Sequence, residues 1–577
     1  MTLQEPTNSK SISIVVAGSG GAGAMTTGNT LFDSAAKLGW HGSLTRTLGP
    51  QIRGGEAAAL LRLTSEPNTG PDDYYQVMLA IDWKNVERFA PEIPLRPDSL
   101  IICDSGAGDV PEVIAQSGAK IVQFPIAKAA KKVKKGRPNM VALGILAHLT
   151  NIPEVLISET LGQKLGAKGD QVLQTSLATV AIGRELAADM KVLASIETEP
   201  LKKGDHWIIS GNQAAGLGAL NGGIRFVAAY PITPATEVLE WLAPALPEVG
   251  GVLVQAEDEL SSINMIIGSS YGGVPALTAT SGPGLALMIE SLGLAVAAEV
   301  PLVVVNVMRG GPSTGIPTKS EQSDLNIAVY GLHGDAPHLV LAPLSVEDCL
   351  FCLQWSVYLA EAMQVPAIVL SDQMMGQARA VISRPTPHDM VAKREVAHDP
   401  GDNYQRYAVT ESGISPMSIP GIDGGQYTAD GLEHSPSGLP SSQTEHHAEQ
   451  MDKRLRKLTR FDYADHWADI SGDGQLAIIT WGSTTSAAQE AVARLQQNGV
   501  HAKLIALRLI TPAQPGKMAA ALIGIDKIMV IEQSHSAQLF GFLKAHYEFS
   551  ASIKTFHRPG PLVIRPGEIV NQIQEWS

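Results

Sequence analysis

At 577 residues the chain is long enough for three or four domains of ordinary size, and its composition (44% hydrophobic, 17% charged) suits large buried sheets. Its 43 Lys and Arg against 57 Asp and Glu leave a formal charge of −14, which argues against sequence-independent nucleic-acid binding, a process that depends on neutralising phosphates. Three cysteines, an N-terminal MTLQEPTNSK without an apolar signal core and no apolar run near ~18 residues lead us to expect a reducing, cytoplasmic setting away from the membrane.

Residues 11–18 (SISIVVAG) read as a strand, followed by Gly18-Ser-Gly20-Gly21-Ala-Gly23 and a helix to about Leu38. The pattern matches GxGxxG, in which glycines let a backbone approach a pyrophosphate at a helix N-terminus. NAD binding also requires an acid at the end of the second strand to hold the ribose. The region after Gly39 carries Arg46 and Gln51-Ile-Arg53-Gly54-Gly55-Glu56 instead, so NAD is not expected. Strands at 76–81, 99–103 and 119–124 alternate with helical patterns and continue a parallel sheet. Lys128, Lys131, Lys132, Lys134, Lys135 and Arg137 form the one basic cluster, which reads either as a solvated helix end or as a landing site for an anionic partner. This first domain spans 1–195, and the charged stretch Glu197–Asp205 reads as a linker.

A second domain is expected over 206–380, with strands at 224–229, 251–255, 275–279, 301–307 and 366–370. Their unalternating, β-branched composition suggests a parallel sheet covered on both faces. Residues 381–465, rich in proline, glycine, serine and histidine, read as an interaction arm or ordered crossover, ending in a charged run (Asp452–Arg460) expected to be an exposed helix. A small α/β domain over 466–577 closes the chain, with Gly482-Ser483-Thr484-Thr485 capping its first helix. Gly472-Asp473-Gly474 precedes a strand and reads as a surface turn.

Three places in the second domain carry residues suited to chemistry. In Tyr230-Pro231-Ile232-Thr233-Pro234 two prolines stiffen the loop between a strand and a helix. The Thr233 hydroxyl is thereby held at the C-terminal end of a strand, where open α/β sheets bind ligands, although a helix-capping turn is the plainer reading. Gln255-Ala-Glu257-Asp258-Glu259 opens a helix that is apolar on most faces, so a carboxylate turned inward would have its neutral form favoured. The alternative there is ordinary capping by acids at a helix N-terminus. Strand 302–307 ends in Met308-Arg309-Gly310-Gly311 and runs on to Thr318. A buried arginine there is costly unless an anion meets it, and its planar fork can take a carboxylate bidentately. Pairing with a local acid, Glu321 or Asp324, is the competing reading. Thr280-Ser281-Gly282-Pro283-Gly284 is expected to line the same cleft. Cys349 and Cys352 read as core thiols, and His333, His338, His434 and His535 have no ligand spacing.

The pentapeptide Tyr230–Pro234 at the start of a long α/β unit resembles the pyrimidine-binding domain of the 2-oxoacid:ferredoxin oxidoreductases. The glycine-rich turn and Arg53-Gly54-Gly55 resemble that family's γ domain. Gly413-Ile-Ser-Pro416 and Glu433-His434 resemble its α subunits, in which the segment wraps over neighbouring subunits, and the last domain resembles the transketolase C-terminal type. The resemblance implies an α/β fold of three parallel-sheet domains in a fused γα subunit of the 2-oxoglutarate type. It further implies thiamine diphosphate shared with a β subunit that brings Mg²⁺ and a [4Fe–4S] cluster, coenzyme A as co-substrate, ferredoxin as electron acceptor, and a dimer of heterodimers. No metal site is expected in this chain. By the same resemblance the cofactor-binding glutamate falls on Glu259, with Glu257 as fallback, and Tyr230, Pro231 and Ile232 line the cofactor. Thr233 and Arg309 take the oxoacid carboxylate, with Thr318 nearby. Coenzyme A phosphates or an acidic ferredoxin would suit the lysine cluster. Pyruvate, branched-chain and indolepyruvate enzymes remain as alternatives, as does a non-catalytic assembly subunit.

Overall fold

The computed structural model describes residues 11–49, 57–68, 70–194 and 204–576. It divides into two compact units: Met1–Ser210 with Gln377–Thr386 and Pro561–Glu568, and Gly211–Gly376 with Pro387–Gly560 and Ile569–Ser577. Among the described residues both are α/β, the first built on a mixed sheet and the second on mostly parallel ones. No helix among them is long and apolar enough to cross a membrane.

The first unit holds an eight-stranded sheet, ordered Lys120–Phe124, Leu100–Asp104, Val77–Ala80, Ser11–Gly18, Ala57–Thr64, His41–Leu48, Arg379–Ser383, His206–Ser210. The first four strands are parallel, and the remainder pair antiparallel. Two features of this sheet lie beyond the sequence reading. The strand after helix Ala24–Leu38 turns back antiparallel, so the position where a dinucleotide fold places its ribose-binding acid does not arise. Residues 206–210 and 379–380, expected in the second domain, and 381–383, expected in the arm, form two strands that pair with each other and close this sheet, Ile208 opposite Val381. Local periodicity marks a strand but says nothing of which sheet edge it joins. Arg379 secures the edge by pairing with Asp33 at 2.8 Å.

At the glycine-rich turn the Ser19 amide donates to the Asp82 carboxylate (2.9 and 3.1 Å), so a protein acid occupies its first donor. Gly23 has φ 90° and lies so near Asn139 that a Cβ would stand 2.6 Å from its Nδ2. Arg53-Gly54-Gly55 and most of the 197–205 linker lie outside the described residues. All six cations of the 128–137 cluster are exposed.

The second unit contains a seven-stranded sheet, ordered Leu509–Thr511, Leu339–Leu341, Pro366–Asp372, Leu302–Met308, Ala276–Thr280, Phe226–Ala229, Val252–Gln255. It is parallel except at its first strand. Strands Leu302–Met308 and Pro366–Asp372 are buried throughout, as their unbroken apolar runs require under helices on both faces. Cys349 and Cys352 lie inside helix Asp348–Met363, buried and unpaired by disulfide, and burial pushes both thiols up. The C-terminal five-stranded sheet is ordered Ala468–Gly472, Ala502–Leu507, Leu476–Trp481, Lys527–Glu532, Ser552–His557. Between its first two strands in the chain, Gly472-Asp473-Gly474 makes an exposed turn in which Asp473 meets His501 at 3.0 Å.

The arm is irregular up to helix Thr444–Thr459, and that helix is not the solvated one expected. Lys453, Arg454 and Lys457 are buried. Glu299, fully buried just beyond helix Gly282–Ala297, meets Lys453 Nζ at 2.5 Å and Lys457 Nζ at 3.0 Å. Arg406 donates to the Glu299 carbonyl at 2.9 Å. The acid that turns this charged run inward lies about 150 residues upstream, out of reach of any local pattern. Burial alone would raise the Glu299 carboxyl, yet Lys457, Lys453 and Arg406 together hold it well below the usual carboxylate range. Burial pushes Lys453 down to about 7 against the pull of Glu299.

Removing one member of such a cluster strands the others, so Glu299→Gln is expected to destabilise by about 3–5 kcal/mol in urea unfolding. The depressed Lys453 fixes the sign with pH. Between about 7 and its unfolded value of roughly 10.4 the unfolded chain binds a proton the folded chain does not, so stability rises across that window. Urea midpoints measured from pH 7 to 9 should climb, and Lys453→Met should flatten the climb.

Candidate active site

The C-terminal edge of the seven-stranded sheet gathers the ends of three adjacent strands, Phe226–Ala229, Ala276–Thr280 and Leu302–Met308. The loop from Tyr230 to Pro234 leaves the first of these. Tyr230 is exposed, and Pro231, Ile232 and Thr233 are half-buried. Two side chains hold the loop from below. Asn212, near the start of helix Gly211–Gly222, donates to the Pro234 carbonyl at 3.1 Å and to Glu237 at 3.4 Å. Arg309 donates from Nη1 to the Thr233 carbonyl at 2.6 Å. Thr233 and Arg309, some 76 residues apart, are therefore brought into direct contact.

Arg309 is only 6% exposed, and its Nε has no hydrogen-bond partner. Among the described residues no carboxylate lies within ion-pair distance of it. Asp324 is its nearest electrostatic counterweight, acting without contact, and burial lowers the arginine's proton affinity in spite of it. Asp324 accepts instead from Asn306 Nδ2 at 2.9 Å. It lies against the N-terminus of helix Gly282–Ala297, where a Cβ on Gly282 would stand 2.7 Å from Oδ2. Burial raises the Asp324 carboxyl, and burial followed by Asp324 raises that of Glu321. The guanidinium thus faces one acid, Asp324, without touching it, an arrangement in which a planar fork has N–H groups to spare for an anion.

Glu259 opens helix Glu259–Tyr271 and is 7% exposed, whereas Glu257 is exposed. Asp258 performs the capping, accepting from the Ser261 amide at 2.6 Å. Glu259 is thus left over. Among the described residues its carboxylate has no hydrogen-bond or ion-pair partner. It leans over the next strand end, where a Cβ on Gly284 would fall 2.1 Å from Thr280 Oγ1 and 2.8 Å from Glu259 Oε1. Only glycine leaves that space open. Ser281, buried beside it, has a hydroxyl without a partner. Thr318 is buried where the Arg309 loop returns, next to the Gly310 amide–Lys319 carbonyl bond of 2.9 Å. No group of three or more His, Cys, Asp or Glu among the described residues is placed to hold a metal ion.

Asn212 and Asn306 escaped the sequence reading. Asn306 had a signal, a lone amide in the run Leu-Val-Val-Val-Asn-Val-Met; Asn212 had none, because its partner loop comes from another strand.

A buried guanidinium and a buried carboxylate, neither in an ion pair among the described residues, stand at strand ends of one parallel sheet, the edge at which α/β proteins bind ligands. A family described as pyruvate flavodoxin/ferredoxin oxidoreductase, thiamine diP-bdg, matches residues 217–453, and one described as pyruvate ferredoxin/flavodoxin oxidoreductase matches 13–186. The 2-oxoglutarate synthase subunit KorA of Methanothermobacter thermautotrophicus is 35% identical over 374 residues, 64% of this chain and 98% of its own. The 2-oxoacid:ferredoxin oxidoreductase 2 subunit alpha of Aeropyrum pernix is 26% identical over 622 residues, covering 95% of both chains. The solved 2-oxoglutarate:ferredoxin oxidoreductase of Magnetococcus marinus, with 2-oxoglutarate, coenzyme A and succinyl-CoA bound, matches with TM-score 0.90 at 37% identity, over 98% of this chain and 99% of that one. The chain belongs to the 2-oxoacid:ferredoxin oxidoreductase family.

If Arg309 serves a ligand rather than the fold, removing its charge should not destabilise the protein. Arg309→Met is expected to unfold within about 1 kcal/mol of wild type or above it, in contrast to the loss at Glu299, as measured by urea or thermal unfolding.

Proposed function

We propose that the chain is the fused γα subunit of a 2-oxoglutarate:ferredoxin oxidoreductase. With a β subunit it would catalyse the reversible, coenzyme A-dependent oxidative decarboxylation of 2-oxoglutarate to succinyl-CoA, with electrons passed to ferredoxin. The observation that carries this reading is Arg309, buried, tied to the Thr233 carbonyl and otherwise without an anion. The burial of both Arg309 and Glu259 also weighs against a merely structural subunit.

The residues present suit thiamine diphosphate at its aminopyrimidine end. Glu259 has a free buried carboxylate, Gly284 leaves room above it, and Ser281 holds an unused hydroxyl. When bound, the cofactor supplies the electron sink that decarboxylation of a 2-oxoacid requires. Glu259 would meet N1′ of the ring and share its proton. Tyr230, Pro231 and Ile232 would form the wall against which the ring lies. Arg309 and the Thr233 hydroxyl would fix the 2-oxoacid carboxylate, and Thr318 would border it. We assign the diphosphate, its Mg²⁺ and a [4Fe–4S] cluster to the β subunit, in a dimer of heterodimers. The exposed lysine cluster at 128–137 is a candidate seat for coenzyme A phosphates or an acidic ferredoxin.

Co-purification with the co-encoded partner, followed by 2-oxoglutarate-dependent viologen reduction with and without coenzyme A, tests the reading; a chain turning over oxoacids alone would overturn it. In that complex Arg309→Ala should lower kcat/KM for the oxoacid by about 100-fold or more while assembly persists. Glu259→Gln should abolish turnover but leave oxoacid binding measurable by calorimetry. Gly284→Ala, by pushing Glu259 aside, should weaken thiamine diphosphate binding in the same titration.

A further inference from the structure

The loop that carries Arg309 and Thr318 does not stand on its own sheet alone. Its tip, residues 311–316, is exposed, and its neck is closed by the Gly310 amide donating to the Lys319 carbonyl. The returning limb, 320–326, is then gripped almost residue by residue by the C-terminal domain. Gln322 is fully buried, and its amide side chain is used at both ends. Nε2 donates to the Trp481 carbonyl at 2.9 Å, and Oε1 accepts from the Gln533 amide at 2.8 Å. Its backbone amide donates to the Gln533 carbonyl, also at 2.8 Å. The side chain is therefore wedged between the ends of strands Leu476–Trp481 and Lys527–Glu532. Room for it depends on Gly482 (φ 59°), where a Cβ would come within 2.5 Å of Nε2.

A glutamine of the C-terminal domain itself closes the other side. Gln538 donates to the Ser323 carbonyl and accepts from the Asn326 amide, both at 2.8 Å. Asp324, the acid that faces Arg309, lies between these two clamps. At the start of the limb Ser320 donates to Asp372 at 3.1 Å, and Gly560 approaches the Ser320 carbonyl so closely that a Cβ there would be 2.2 Å away.

We propose that the C-terminal domain is a positioning element for the oxoacid. Gln322 and Gln538 set the height of the 309–324 loop above the sheet, and through it the aim of the Arg309 guanidinium and the Thr318 hydroxyl. Both are positioning residues, since neither touches the anion site. The proposal rests on the reading of Arg309 as the carboxylate clamp. Its physical basis is that a shift of even 1 Å in a binding group can cost about 100-fold in rate, and within this chain the loop is held on the side of its returning limb, its tip being exposed.

The test uses Gln322→Leu and Gln538→Ala in the complex with the co-encoded partner. Hydrogen exchange over 309–324 should accelerate in both variants, with strands 476–481 and 527–532 as protected as in wild type. KM for 2-oxoglutarate should rise about tenfold or more, with kcat less affected and KM for coenzyme A unchanged. The double variant should fall short of the product of the single effects if the two clamps hold one loop. Unchanged exchange over 309–324 would overturn the proposal. So would exchange that spreads through both strands together with equal losses in every kinetic constant, because that is the mark of general loosening. If the wild-type complex reduces no viologen with any oxoacid, the functional reading fails, and the exchange result still decides whether the clamp exists.

Discussion

One hydrogen bond, from Arg309 to the Thr233 carbonyl, ties together two loops that leave different strands of a parallel sheet. A parallel sheet delivers all its strand ends to one edge, so residues distant in sequence arrive there side by side. What makes this edge a site is the charge that remains. The guanidinium spends one N–H on a carbonyl, leaves Nε unmatched and has no carboxylate in contact. On the proposed reading, the 2-oxoacid carboxylate completes that arrangement.

Helix Gly282–Ala297 makes the point by contrast, because buried charge lies beyond both of its ends. Past its C-terminus Glu299 is met by two lysines, with Arg406 bonded to its carbonyl, and the cluster closes on itself. At its N-terminus Asp324 and Arg309 influence each other without touching. The first arrangement belongs to architecture, binding the arm to the domain. The second is left open, which is what a ligand site requires.

The C-terminal domain gains a different standing from this geometry. It lends strand Leu509–Thr511 to the neighbouring sheet, receives Gln322 of the Arg309 loop at the Trp481 carbonyl, and meets that loop with its own Gln538. Family membership supplies the chemistry to which these contacts belong, while the contacts themselves show how this chain divides the task among its parts.

Much was legible in the sequence. Largely apolar runs located the strands of the parallel sheet, the paired prolines marked the loop at its edge, and an arginine was seen to end a buried strand. Those signals are local, and local order is what a sequence displays. Tertiary structure alone decided that strands 206–210 and 379–383 leave their neighbours for another sheet, and that Lys453 and Lys457 turn inward toward Glu299. It alone separated Glu259 from Glu257, by burying one and exposing the other, and placed Gln322 between two strand ends. In each case the partner lies outside the local stretch or on a face that spacing does not reveal. A side chain's role is settled by what meets it in space, and the chain's own order does not record that.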